Sequence, residues 1–146
     1  MKYYLDTEFN GHGGELLSLA LVSEEGAMLY LVVPEPVSPL VPWVADNVWP
    51  VRHHPWEIVA PREGWGQRIA SFLGGEPATI VVDWPEDIRY FCETLITGPG
   101  YMVALNNLTF QMIRVDAYPT TVEGAIQHNA LCDAFALREK FKEKEF

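Results

Sequence analysis

Three short stretches of this 146-residue chain carry side chains able to do chemistry. The first, LDTEF, places Asp6 and Glu8 two residues apart. In an extended strand both project from one face, about 6.6 Å apart along the strand. Carboxylates held side by side inside a domain raise each other's pKa, and a hard divalent cation, which prefers oxygen ligands, relieves that repulsion. The plainer alternative is a solvated polar strand face, but the opposite face, Tyr3, Leu5, Thr7 and Phe9, is largely apolar. The second stretch, VVDWPEDIRYF, offers Asp83 at the close of a strand and Asp87 in the first turn of a helix. Acids in a first turn commonly just complement the helix dipole. The carboxyl end of a strand in an open α/β sheet is also where ligands gather, and of the two we prefer Asp87. The third, HNALCDA, offers His128 and Asp133. Five residues apart on one helix they would diverge by about 140°. With Asn129 as the helix cap, His128 lies outside the helix and Asp133 on its first full turn, so both can face one site.

The elements that must position these groups are readable in outline. KYYLDTEF, ELLSLALVS and AMLYLVV are β-type runs, the last two joined by EEG, and together they predict an antiparallel meander. Pro34 to Pro61 is dense in Pro and Trp, with a short helix expected over 43–48 and no evident role, although a substrate-flanking lid and a dimer surface are both open. A helix is expected over 62–73, stopped by Gly74 and Gly75. ATIVV reads as a buried strand, and PEDIRYFCETLI as a helix with Pro85 in its first turn and an apolar stripe of Ile88, Phe91, Cys92 and Leu95. YMVAL reads as a fifth strand. Thr120 and Glu123 have capping-box spacing, ahead of a main helix over 129–144. The expected fold is α/β: a mixed central sheet of three antiparallel strands and two more, flanked by helices.

Length and a hydrophobic content of 49% fit one domain over residues 1–146. No signal-peptide pattern and no run of about 18 apolar residues is present, so a soluble, cytoplasmic protein without membrane contact is expected. Cys92 and Cys132 lack metal-ligand spacing and read as reduced core thiols. The net charge of −10 argues against a surface that coats DNA or membranes. It leaves room for a nucleic-acid enzyme, because the acidity is uneven. Residues 1–50 hold one Lys against seven acids, whereas residues 101–146 hold five basic and six acidic groups.

Together LDTEF, Asp87 in VDWPED, and HNALCDA resemble, in the same order, the three motifs of the DEDDh group of 3′–5′ exonucleases, a DnaQ-like family of RNase H-like fold. HNALCDA fits H-x-A-L-x-D-A at every specified position, and the resemblance spans nearly the whole chain. KYYLDTEF followed by ELLSLALV is similar to the opening of a compact bacterial and phage exoribonuclease branch. One departure is that Asp-Trp-Pro-Glu-Asp stands where the family has Asn-x-x-Phe-Asp around its second motif, which keeps Asp83 as the alternative to Asp87.

The resemblance implies two divalent cations, Mg²⁺ or Mn²⁺, with Asp6 bridging, Glu8 and Asp133 completing the first site and Asp87 supporting the second. His128 would be the general base, and a 5′-mononucleotide would leave the 3′ end of RNA or single-stranded DNA. Phe9 and Asn10 would meet the terminal nucleotide, and Trp84 could stack on a base. Arg52, His53, His54, Arg89 and Arg114 are candidate phosphate contacts. With so few basic groups, a second copy could help embrace the substrate, so a homodimer is a further expectation. A non-catalytic nucleic-acid-binding or regulatory module of the same fold is the alternative, and it would be favoured by loss of an acid or the histidine; none is missing. An acidic protein acting through protein contacts would explain the charge but not HNALCDA.

Overall fold

The computed structural model describes residues 1–114 and 127–144. Strands β1 (Lys2–Phe9), β2 (Leu16–Ser23) and β3 (Met28–Val32) form the antiparallel meander. Helix α1 (Pro42–Asn47) and a single 3-10 turn lead to β4 (Glu57–Val59), which pairs in parallel with β3. Then come α2 (Trp65–Leu73), β5 (Ala78–Val82), α3 (Pro85–Leu95), a small hairpin of β6 (Ile96–Gly98) and β7 (Tyr101–Met102), β8 (Leu108–Met112) and α4 (Ala130–Lys144). The six-stranded sheet has the order β4-β3-β2-β1-β5-β8, with β1, β5 and β8 parallel. The protein is therefore α/β, with a mixed central sheet flanked by helices.

Local signals account for the helix boundaries. Pro85 occupies the first turn of α3 after an extended Trp84, as proline's fixed φ favours. Gly74, at φ 70°, ends α2. Asn129 caps α4: its Oδ1 accepts the Cys132 N–H at 3.1 Å. The capping-box pair Thr120 and Glu123 lies outside the described residues.

Strand alternation sorts the side chains into two layers. Tyr3, Leu5, Leu19, Leu21, Leu31, Ile80 and Val82 face α2 and α3 in the main core, where Trp65, Ile69, Phe91 and Leu95 meet them. On the opposite face Ala20, Val22, Tyr30 and Val32 pack against Ala130, Leu131 and Ala134 of α4, and Tyr4 and Val81 against Leu137 and Phe141. Small residues on both partners let the start of α4 approach the sheet beside Asp6, which is registered with Ala20. Cys92 and Cys132 are both free thiols. Among the described residues no helix is long and apolar enough to cross a membrane.

Two elements differ from expectation. YMVAL is not a central strand. The Gly98-Pro99-Gly100 turn, with Gly100 at φ 78°, folds Tyr101 and Met102 back on Ile96–Gly98, and both side chains remain exposed. The sheet position belongs to LTFQM, whose Leu108 and Phe110 pack on the core while its alternate residues face solvent. As a half-exposed edge strand it carries a weaker apolar pattern than the run that precedes it. Strand β4, inside the Pro- and Trp-rich segment, was likewise not anticipated, because three residues carry no readable period.

Helices α2 and α3 touch backbone to backbone at Gly66, where an added Cβ would sit 2.3 Å from the Thr94 carbonyl oxygen. Gly66→Ala is therefore expected to lose about 1–3 kcal/mol of stability, the usual range for overpacking. Urea denaturation measures this, and an unchanged midpoint would show that the helices can part without loss.

Candidate metal and nucleic-acid site

The ladder between β1 and β5 runs only from Lys2–Thr79 to Tyr4–Val81. Beyond it the two parallel strands separate, and a cleft of about 240 Å³ opens at their carboxyl ends. It is lined by Asp6, Thr7, Glu8 and Phe9 of β1, Asp83, Trp84 and Asp87 at the start of α3, and Gln127, His128 and Asp133 at the start of α4. All three chemically suggestive stretches thus meet in one place.

Within it the ligand atoms form two groups. Glu8, His128 and Asp133 offer atoms within 4.8 Å of one another, and so do Asp6, Asp83 and Asp87. Asp83, set second to Asp87 on sequence grounds, stands beside it. Asp6 and Asp87 are 7% and 2% exposed. Thr7 Oγ1 donates to Asp87 Oδ1 at 2.6 Å, while Asp87 Oδ2 and Asp6 Oδ2 are buried and have no hydrogen-bond partner among the described residues. Buried polar atoms are almost always partnered, so two orphaned carboxylate oxygens facing one cleft need an explanation. A divalent cation would supply one, since hard cations such as Mg²⁺ and Mn²⁺ take carboxylate oxygens as ligands.

The electrostatics agree. Burial, then the charges of Asp87, Glu8, Asp133 and Asp83, push Asp6 well above the ordinary carboxylate range. Burial and Asp133 do the same to Glu8, which shares a hydrogen bond with Asp133. Burial raises Asp133 to about 7 against the opposing hydrogen bonds from Glu8 and the His128 backbone N–H. Asp87 also reaches about 7, with burial outweighing its bonds from Thr7.

His128 lies outside α4 in a left-handed conformation, φ 68°, rare for a residue with a side chain and tolerated somewhat better by histidine than by most. Burial lowers its pKa, so the ring is neutral near pH 7 and able to accept a proton. The ring packs edge-on against Trp43 of α1, with centroids 5.0 Å apart. Two asparagines hold this arm of the chain in place. Asn10 Oδ1 accepts the Val41 N–H at 2.9 Å and its Nδ2 donates to Pro39 O at 3.0 Å. Asn129 Nδ2 donates to Val51 O at 2.9 Å. The Pro34 to Pro61 segment, unassigned on sequence, thus builds the wall behind His128.

The expected substrate contacts fare unequally. Trp84 is 47% exposed on the rim, with the Arg114 guanidinium 5.3 Å from its ring centroid. Phe9 lines the cleft but stacks on Tyr90 at 4.7 Å. Asn10 is buried, with both ends of its amide engaged by the arm. Of the candidate phosphate contacts, Arg114 adjoins the cleft, its guanidinium donating to Asp83 O at 3.0 Å. Arg89 pairs with Glu93, His53 with Glu57, His54 accepts the Trp56 N–H, and Arg52 lies over Trp49. Trp43, 56% exposed, was missed, since a Trp in an irregular segment announces no partner. A larger hollow of about 570 Å³, lined among others by Arg62, Gln67 and Thr94, contains none of the orphaned atoms.

A carboxyl whose pKa folding raises keeps its proton longer in the native state than in the unfolded chain, so stability falls as pH climbs from the unfolded range near 3.8 through about 7. Metal-free protein in EDTA should therefore melt at progressively lower temperature from about pH 5 to about pH 8, and Mg²⁺ or Mn²⁺ should restore much of the loss at the upper end. A flat profile would mean the four acids ionise freely. No protein-family model and no curated protein matches this chain, so what the cleft does has to be read from its own residues.

Proposed function

We propose that the protein is a metal-dependent 3′–5′ exonuclease of DEDDh type, acting on the 3′ ends of RNA, with single-stranded DNA as the second candidate substrate, and releasing 5′-mononucleotides. One observation carries this reading: five acids and a neutral histidine, from segments about eighty and forty residues apart, converge on a cleft holding two orphaned buried carboxylate oxygens. A mixed sheet that opens with three antiparallel strands and continues with β5 and β8 supports the RNase H-like assignment.

Glu8 and Asp133 would hold one divalent cation, with Asp6, Asp83 and Asp87 holding the other. Two cations held there would supply charge to stabilise the attacking and leaving oxygens of an in-line displacement at phosphorus. His128, neutral and braced by Trp43, accepts a proton from the attacking water as the P–O bond to the shortened strand breaks. Water adds to the phosphorus, and the departing 3′-oxygen is protonated by solvent. Trp84, backed by Arg114, offers a face on which a base can stack. Among the described residues no Lys or Arg lines the cleft itself. Attraction for the strand then depends on the cations and on Arg114 at the rim.

End-labelled single-stranded RNA and DNA, incubated with Mg²⁺, Mn²⁺ or EDTA, test the proposal. Metal-dependent shortening from the 3′ end is expected, abolished in Asp6→Ala and reduced roughly 10²–10⁴-fold in His128→Ala. Intact 3′ ends with either metal would refute it in favour of a non-catalytic binding module. In the same assay Asp87→Asn should lose far more activity than Asp83→Asn, because Asp87 is the buried member of the pair; the reverse order would transfer its role to Asp83.

A further inference from the structure

Thr7 sits between the two acids of β1 and has no part in the chemistry outlined above. Its side chain projects from the face opposite Asp6 and Glu8, toward the layer that contains α3. Odd residues of β1 turn their backbone groups toward β5, as the Met1 carbonyl accepting the Thr79 N–H shows. The ladder has ended by Tyr4, so the Thr7 N–H emerges where β5 no longer offers a partner. Asp87 fills that place: its carboxylate takes the Thr7 hydroxyl at 2.6 Å and is also stabilised by the Thr7 backbone N–H.

Asp87 belongs to a helix on one side of the sheet, whereas Asp6 projects from the other. Only at the open strand edge can their oxygens come within 4.8 Å. Thr7 is 4% exposed, so the bond is shielded from water. It occupies Oδ1 and leaves the buried Oδ2 as the unpartnered oxygen.

We infer that Thr7 is a positioning residue that clamps one oxygen of Asp87 to the open edge of β1 and so presents the other, with Asp6 and Asp83, to a single divalent cation. The inference rests on the metal-binding part of the function proposed above. It assigns the hydroxyl a selective effect, on the cation held by Asp6, Asp83 and Asp87 and not on the one held by Glu8 and Asp133.

Titration calorimetry with Mn²⁺ alone, without nucleic acid, tests this. Wild type should bind two ions, and Thr7→Val should bind one of them about 10–100-fold more weakly, the usual effect of removing the partner of a metal-ligating group. The other ion should bind as before. Thr7→Ser, which keeps the hydroxyl, should restore both affinities, a rescue that mere loss of packing would not show. Melting in EDTA identifies any variant that fails to fold, and Thr7→Ala, which also lacks the hydroxyl, then stands in for Thr7→Val. Two ions bound with wild-type affinity by a folded Thr7→Val or Thr7→Ala would overturn the role of Thr7 while leaving the metal site intact. A wild type that binds no Mn²⁺ would overturn both.

Discussion

Where β1 and β5 part company determines most of what this molecule can do. Three registered pairs hold the strands together, and then β1 continues for five residues along β2 alone. That unpaired edge opens the cleft and lets a carboxylate from the α3 layer meet carboxylates on the α4 face. It also leaves backbone donors to be satisfied by something other than a strand. An edge in the middle of a sheet is a liability unless something covers it, and here the cover is Asp87 with the residues around it.

Concentrating acids in such a place works against folding. Asp6, Glu8, Asp87 and Asp133 are each raised by burial and by their neighbours' charges, and Glu8 and Asp133 ease the strain by sharing a hydrogen bond. The surrounding structure has to over-determine the arrangement. The main core on the α2 and α3 side anchors β1 through Tyr3 and Leu5, and α4 is drawn down on Ala20 by its own small residues. Asn10 and Asn129 tie the arm containing Trp43 to both ends of the site. Two buried asparagines therefore join one acidic strand, one arm and one helix start into a common frame.

Much of the site was legible because its parts are local. Two-residue alternation puts Asp6 and Glu8 on one face, and an asparagine before Ala-Leu caps a helix and frees His128 from it. The meander, α2, α3 and β5 follow from equally local patterns. That Asn10 ties down the arm was not legible, because its position beside the acids says nothing about a segment that folds back over it from thirty residues away. LTFQM lost to YMVAL because an edge strand buries only half its side chains, whereas a turn set by Gly-Pro-Gly diverted the more apolar run.

By itself, then, the sequence determined which groups are chemically able and which face of its own element each occupies, since period and capping act over a few residues. Tertiary structure decided that Asp83 and Asp87 both reach Asp6, that Thr7 holds Asp87, and that Trp43 backs His128. Those relations depend on where one strand leaves another and on contacts across about eighty residues, and no local pattern records either.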